Sequence, residues 1–209
     1  GVFEMAAHGL VEVPNPSLIF SGGVQGRVVG SAVVPILEGS RPLLVEIQAL
    51  STPAGYGPPR RVANGFDLNR LLLITAVLSK RARIRLADQD VIVNVTGGLR
   101  ISEPAADLGV AIAIASSVRD RALNRGVVVF GELGLGGELR TVPQASRRLA
   151  EARRLGFEGC VLPRETQVEA SDSSGMQLLR ASSLGSALSL ALEREGVQPD
   201  SGESQPWNE

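Results

Sequence analysis

The sequence predicts an α+β domain with a mixed β-sheet and packed helices, and three observations support that fold class. The stretch from Val91 to Val118 begins as a β-branched strand (VIVNV), turns at residues 96–98, and continues as an almost wholly aliphatic helix that we expect to be buried. The other predicted helices lie between strands without a regular βαβ rhythm. Aromatic residues make up only 3% of the chain, so the core is expected to consist of Leu, Val, Ile and Ala.

The composition divides the chain into three parts. Residues 1–22 hold short strand patterns around a Pro-Asn-Pro turn, and we interpret them as a short β extension. Residues 23–195 hold the patterns of one domain, and the 209-residue chain is long enough to bury a sizeable core. Residues 196–209 are rich in Pro, Ser and acidic residues, which predicts a disordered tail.

The first half of the domain is predicted to contain a hairpin and a helix. Two strand patterns between Arg27 and Pro53, joined by a short polar turn at residues 38–40, predict a β-hairpin. A Pro- and Gly-rich stretch over residues 52–60 predicts an exposed loop. The apolar spacing predicts a helix over Phe66–Lys80 with Asp67 in its first turn.

The second half begins with the central helix, which is predicted to open at Glu103-Pro104, because an acidic residue favours the positive end of the helix dipole. Strands follow over residues 127–133, 139–142, 160–163 and 176–179, and a last helix over residues 184–195. A further helix is predicted over Ser146–Leu155, with four arginines facing solvent: Arg147, Arg148, Arg153 and Arg154.

Charge and composition restrict the classes of partner and the cellular setting. The net charge is -1, from 21 basic and 22 acidic residues, so a nucleic-acid-binding surface would have to be a local patch. The single cysteine, Cys160, excludes an internal disulfide and fits a cytoplasmic setting. No apolar run approaches the ~18 residues that span a bilayer, so we expect no membrane partner. The opening GVFEM suggests a fragment of a longer protein.

The residues themselves offer little catalytic chemistry. One histidine, His8, and one cysteine cannot supply the roughly four ligands of a zinc site. No P-loop motif is present, and the Gly-rich GELGLGGEL lies between strands, where we interpret it as a turn. Lys80 is the only lysine, so a Ser-Lys dyad would have to use it, because arginine stays protonated and cannot act as a general base. The residues alone therefore predict a non-enzymatic domain.

Several motifs resemble a known family. The stretches NVTGGLRISEPAADLGVAIAIASS, GELGLGGELRTVP, RRLAEARRLGF and CVLP resemble the proteolytic domain of Lon proteases. More narrowly, GVFEM, PRRVANGFDLNRL, EPAADL and SSVRDR are similar to the RadA (Sms) family of bacterial DNA repair proteins, over Gly1 to Leu192. The resemblance implies the C-terminal, Lon-protease-like domain of a DNA-dependent ATPase. It also implies that residues 1–22 link to an ATPase core absent from this chain, and that zinc, ATP and Mg²⁺ belong only to the absent N-terminal domains.

The resemblance also locates the positions at which Lon proteases have their Ser-Lys dyad. The serine position falls at Ala105, or at Ala106 if the register shifts by one residue, and the lysine position falls at Ser146, beside Arg147 and Arg148. Neither residue type matches the dyad. The resemblance therefore implies a pseudo-protease that forms no acyl-enzyme, and this chain is expected not to be an enzyme.

The function implied by the resemblance is a scaffold for a hexameric ring that binds single- and double-stranded DNA during branch migration, with a RecA-type recombinase as a partner of the full-length protein. Phosphate binding requires basic side chains on one exposed face. The candidate DNA-binding residues are Arg60, Arg61, Arg70, Lys80, Arg81, Arg83 and Arg85. The plainer interpretation of the same residues is that they are ordinary solvated charges.

Two alternatives stay open at this point. The domain could be purely structural, serving oligomerisation without touching DNA. A Lon-class Ser-Lys peptidase is the other alternative, and it would require a serine hydroxyl close to Lys80.

Overall fold

The computed structural model describes residues 3–6, 9–12, 28–55, 57–169 and 175–193. Two short strands, β1 (Phe3–Ala6) and β2 (Gly9–Glu12), form an antiparallel pair within the predicted β extension. The predicted tail over residues 196–209 lies outside the described residues.

A four-stranded mixed sheet forms the first half of the domain. Its strands are β3 (Ser31–Glu38), β4 (Arg41–Pro53), β5 (Arg61–Asn64) and β6 (Gln89–Val95), in the order β3-β4-β6-β5. The pairs β3/β4 and β4/β6 are antiparallel, whereas β5 runs parallel to β6. The predicted hairpin is confirmed as β3 and β4, and its turn pairs Glu38 with Arg41.

Helix α1 (Leu68–Arg81) follows β5 and begins two residues later than predicted. The reason is the Asp67 side chain, which accepts a hydrogen bond from the Arg70 backbone N–H at 2.8 Å and caps the helix. Phe66, which the apolar spacing assigned to the helix, forms a parallel bridge with Ile101 instead.

Helix α2 (Asp107–Arg119) is the buried central helix, preceded by 3₁₀ turns at Thr96–Gly98 and Pro104–Ala106. The opening at Glu103-Pro104 is therefore a 3₁₀ turn, and the α-helix proper begins at Asp107. Every residue from Asp107 to Ser116 is buried, which confirms the expectation for this helix. Gly109 permits its close approach to the sheet, because a Cβ there would lie 2.2 Å from Cγ2 of Val34.

A second, parallel sheet contains β7 (Val127–Val129), β10 (Gly159–Pro163) and β11 (Gln177–Ala181), in the order β11-β10-β7. The predicted strand over 127–133 ends at Val129, because Gly131 adopts a φ of 155° and hydrogen-bonds to Ala105 and Leu108 near the start of α2. Strands β8 (Glu132–Leu133) and β9 (Leu139–Arg140) form a small antiparallel hairpin.

Two helices complete the described chain. Helix α3 (Ala145–Arg154) packs against β3 and β4, and helix α4 (Leu184–Ala191) begins with a capping box between Ser183 and Ser186. Helix α4 ends before the predicted boundary at residue 195, because Leu192 turns into an antiparallel bridge with Leu123. The mixed sheet, the parallel sheet and the packed helices confirm the α+β fold class. In the ranges given above, none of the helices is long and apolar enough to cross a bilayer.

Candidate functional site

The two positions that the resemblance assigned to the Lon dyad, Ala105 and Ser146, lie at the starts of two helices. Ala105 is buried in the 3₁₀ turn before α2, and its carbonyl accepts a hydrogen bond from the Gly131 N–H at 3.0 Å. Ser146 is half-buried in the first turn of α3. Glu103 and Arg148 each lie two residues from one of these positions in sequence, and the two side chains form an ion pair with each other.

Arg148 is 1% exposed, so the prediction that it faces solvent is wrong. Its Nη1 and Nη2 atoms donate to Glu103 Oε1 and Oε2 at 2.7 and 2.9 Å. Nη1 also donates to the Pro35 carbonyl at 2.6 Å, and Nε to the Pro143 carbonyl at 3.1 Å. The guanidinium lies over the ring of Phe130, 5.9 Å from its centroid. Each nitrogen of this buried guanidinium therefore donates to at least one acceptor.

Helical spacing explains why Arg148 is buried. The buried positions of α3 are Ala145, Arg148, Leu149 and Ala152, which is the i, i+3, i+4, i+7 stripe of a helix packed on a core. Glu103 Oε1 also accepts the Leu37 N–H at 2.9 Å, so the ion pair connects the turn before α2, the β3 strand and α3. The exposed arginines on the opposite face, Arg147, Arg153 and Arg154, agree with the prediction.

Arg70 forms a second ion pair, with Asp107 at the first position of α2. Its Nε donates to Oδ1 of Asp107, and its Nη2 donates to Oδ2 at 2.6 Å. Asp107 is 2% exposed, and its Oδ2 also accepts the Leu133 N–H at 3.2 Å. Burial raises the pKa of the Asp107 carboxyl, and the hydrogen bonds from Arg70 and Leu133 oppose that rise. Both side chains line a cleft of about 430 Å³ between α1 and the β8–β9 hairpin, together with Glu132 and Glu138.

Arg60 and Arg61 are both anchored around the start of β6. Arg60 pairs with Asp90, donating from its backbone N–H at 2.7 Å and from its guanidinium at 3.0 and 3.1 Å. The backbone hydrogen bond is the main reason why the pKa of Asp90 is lowered. The Arg60 side chain is nevertheless 82% exposed. The Arg61 guanidinium donates to the carbonyls of Leu86 and Gln89 at 2.7 and 2.6 Å, which ties β5 to the chain that follows α1.

The other four candidates form what we call the basic segment, which is exposed where α1 ends: Lys80, Arg81, Arg83 and Arg85. Arg85 pairs with Asp88 at 3.2 Å, and Arg81 donates to the Leu135 carbonyl at 3.4 Å. Lys80, Arg81 and Arg83 form no ion pair with any residue that the structure describes. Arg83 has a positive φ of 54°, so the chain leaves the helix abruptly there.

The structure thus brings some of the candidates together and separates one of them. The Arg61 guanidinium donates to the carbonyl of Leu86, which is one residue beyond the basic segment. Arg60 is the residue before Arg61 in sequence. Arg70 lies about 15 Å away along α1, since ten residues of helix separate it from Lys80. It faces a cleft that contains three carboxylates.

Sequence reasoning missed the pairing of Glu103 with Arg148 and the role of Asp107. One signal could have found Arg148, because its spacing from Leu149 and Ala152 places it on the apolar stripe of α3. Nothing in the sequence pairs Glu103 with a residue 45 positions away.

Comparisons with known proteins define the class of this fold and then the family. The model of the family "Subunit ChlI of Mg-chelatase" matches residues 73–166, and this match fits a Lon-protease-like domain. The chain is 46% identical to DNA repair protein RadA of Halalkalibacterium halodurans over 194 residues, 93% of this chain and 42% of that protein. For the RadA proteins of Escherichia coli and Synechocystis the identities are 46% and 42%, over 91% and 97% of this chain and 41% and 40% of theirs.

The class is therefore an α+β domain of the Lon-protease-like kind. The chain belongs to the family of the DNA repair protein RadA, and it spans about two-fifths of the length of the curated relatives it matches.

Proposed function

We propose that this domain is a non-proteolytic, Lon-like scaffold of a RadA-type DNA repair and recombination ATPase, which supports assembly of a hexameric ring and binds single- and double-stranded DNA during branch migration. The observation that supports DNA contact most directly is the basic segment. It has four exposed cations within six residues, in a family named for DNA repair. Such a cluster suits phosphate groups irrespective of base sequence.

The candidate residues differ in how suitable they are for phosphate. Lys80, Arg81 and Arg83 are exposed and form no ion pair among the described residues, so a phosphate would not have to displace a carboxylate. Arg60 keeps an exposed guanidinium although it pairs with Asp90. Arg70 is the least suitable, because its Nε and Nη2 atoms both donate to the buried carboxylate of Asp107. Arg61 contributes mainly by holding the chain beside the basic segment.

The absence of proteolysis is part of the proposal. An alanine methyl group at position 105 cannot attack a carbonyl, and the hydroxyl of Ser146 is a weak base at neutral pH. In the nearby Glu103–Arg148 pair, the buried guanidinium donates from all three of its nitrogens and the Glu103 side chain is half-buried, which favours a structural role. Lys80 makes no hydrogen bond with a hydroxyl in the described part of the chain, so nothing there favours the peptidase alternative.

The remaining partners belong to the longer protein. ATP with Mg²⁺, and zinc, would be held by domains outside this chain, and a RecA-type recombinase would act with the full-length ring in the cytoplasm. One observation favours the alternative of a purely structural oligomerisation domain. Five of the candidate arginines already have acceptors within the chain: Arg60, Arg61, Arg70, Arg81 and Arg85.

A DNA titration separates these functions. We would measure fluorescence anisotropy of labelled single- and double-stranded DNA with the wild-type chain and with a Lys80→Ala/Arg81→Ala/Arg83→Ala variant. The matched control removes three exposed arginines elsewhere, Arg119→Ala/Arg125→Ala/Arg164→Ala. We expect the first variant to lose affinity by about tenfold or more and the control by about twofold at most.

Equal losses in both triple variants would show that binding reflects diffuse charge and not the basic segment. No binding by the wild-type chain at low salt would support the structural alternative.

A further inference from the structure

The last fifteen residues of the sequence, 195–209, carry charge of one sign, and we call them the acidic tail. They contain no basic residue and four acidic ones: Glu195, Asp200, Glu203 and Glu209. They also contain Trp207, the only tryptophan of the chain. The acidic tail lies outside the described residues, whereas Glu193, two positions before it, lies within them. Carboxylates without cations favour a basic surface as their binding site.

The acidic tail is attached close to the basic segment. Gly137 packs on Arg81, because a Cβ at Gly137 would lie 3.0 Å from the Cβ of Arg81. The N–H of Leu184, the first residue of α4, donates to the Gly137 carbonyl at 2.8 Å. Helix α4 has eight residues and is therefore about 12 Å long. Glu193, which follows the far end of α4, thus lies within roughly 30 Å of Arg81.

A segment of this length can reach the basic segment from that attachment point. An extended chain of about 15 residues spans up to about 50 Å, and a random coil of the same length has a root-mean-square end-to-end distance of about 20 Å. A tethered ligand whose average reach matches the span has an effective concentration in the millimolar range. An ionic contact of only millimolar affinity would therefore be populated within the chain.

The basic segment suits the acidic tail better than the arginines of α3 do. Lys80, Arg81 and Arg83 are exposed, and they form no ion pair with a carboxylate that the structure describes. On α3, by contrast, Arg154 already pairs with Glu151 at 2.8 Å. A carboxylate of the tail can therefore bind to the basic segment without displacing another carboxylate.

We propose that the acidic tail docks on the basic segment of its own chain and competes there with DNA. The tail carboxylates occupy the positions that phosphate groups would take. Trp207 adds an aromatic ring on which a guanidinium can stack. The contact is weak and sensitive to salt, because ion pairs at a protein surface are screened. The inference rests on the proposed function, because it describes how access of DNA to that site is regulated.

The fluorescence of Trp207 tests docking without any DNA, since the chain has no other tryptophan. We would measure its steady-state anisotropy in the full chain at low and high salt. A neutral-tail variant removes three charges of the tail: Asp200→Asn/Glu203→Gln/Glu209→Gln. A matched control removes three exposed carboxylates elsewhere: Glu38→Gln/Glu158→Gln/Glu165→Gln.

We expect the wild-type chain and the matched control to show the higher anisotropy at low salt and to lose this difference at high salt. The neutral-tail variant and the Lys80→Ala/Arg81→Ala/Arg83→Ala variant should show the lower value at both salt concentrations. Equal anisotropy in all four proteins at low salt would overturn the proposal. A difference that disappears on dilution would also overturn it, because that result indicates docking on a second copy.

The DNA titration at low salt tests the competition. We expect the neutral-tail variant to bind DNA about three- to tenfold more tightly than the wild-type chain, and the matched control about twofold more tightly at most. Equal gains in both variants would overturn the competition, since they would reflect net charge alone. If neither the wild-type chain nor the neutral-tail variant binds DNA, the proposed DNA contact and the competition both fail, while the Trp207 anisotropy decides docking independently.

Discussion

The Glu103–Arg148 pair and the basic segment are two groups of charged residues that differ in nearly every physical respect. Arg148 is buried and donates from each of its three side-chain nitrogens, whereas Lys80, Arg81 and Arg83 are exposed and lack ion-pair partners in the described ranges. A buried cation whose nitrogens already donate to protein acceptors is not available to a ligand. Exposed cations without carboxylate partners contribute little to the free energy of folding, and they remain available to phosphate. Burial, and not residue type, therefore separates the structural Arg148 from the arginines that we propose contact DNA.

The largest effect that we predict comes from breaking the Glu103–Arg148 pair, in which Arg148 is buried and Glu103 is half-buried. Arg148→Ala leaves the Glu103 carboxylate without its cation, and we expect a loss of about 3 kcal/mol in the free energy of unfolding. Chemical denaturation monitored by circular dichroism measures it. A Glu103→Leu/Arg148→Met double variant removes both charges and should lose clearly less stability. A single-variant loss below that of the double variant would contradict a structural role for the pair.

Arg70 combines features of both groups, because it is a DNA-binding candidate and yet forms an ion pair with the buried carboxylate of Asp107. We expect Arg70→Ala to lower the free energy of unfolding by about 2 kcal/mol while leaving DNA affinity within about twofold of wild type. Denaturation and the anisotropy titration give the two values. A large loss of DNA affinity in a variant of unchanged stability would restore Arg70 as a DNA contact.

The pH dependence of Arg70→Ala has a definite sign. Burial raises the pKa of Asp107 in the folded chain, and without Arg70 that pKa rises further. A carboxyl whose folded pKa exceeds its unfolded value favours folding below the unfolded pKa and loses that contribution as the pH rises through the folded value. The stability deficit of the variant should therefore grow from acidic to neutral pH, which thermal melts across that range would measure. A deficit that shrinks over the same range would contradict it.

Asp90 should show the opposite dependence on pH. The Arg60 backbone N–H and guanidinium lower its pKa, so its contribution is present above the unfolded value of about 4 and is lost as the pH falls through the folded value. Asp90→Asn should therefore be less stable than wild type at neutral pH and approach wild-type stability in acid. A constant difference in melting temperature would contradict this linkage.

Much of the fold follows from local patterns, whereas the ion pairs do not. Strand alternation predicts the β3–β4 hairpin, and the aliphatic run predicts the buried α2, because both depend on neighbouring residues. We predicted that Arg148 faces solvent because charged side chains usually do, and this prediction is wrong. Its burial depends on Glu103 and on the Pro35 carbonyl, which only the tertiary fold brings within reach. The DNA-binding residues stay a prediction, since exposure makes them available but does not identify their ligand.

The smallest predicted effect concerns stability at the basic segment. Exposed side chains without partners contribute little to folding, so each of Lys80→Ala and Arg83→Ala should change the free energy of unfolding by about 0.5 kcal/mol at most. Denaturation curves superimposable on wild type would agree with this. A loss comparable to that of Arg148→Ala would show that the segment is structural and would remove the contrast between the two groups.

The most direct test of the central claim is the salt dependence of duplex DNA binding. The logarithm of the binding constant falls linearly with the logarithm of salt concentration, by about 0.9 for each phosphate neutralised. For the Lys80→Ala/Arg81→Ala/Arg83→Ala variant we predict a slope shallower than wild type by about 2 to 3, at unchanged stability. A slope equal to that of the wild-type chain would contradict the claim that these exposed cations contact DNA.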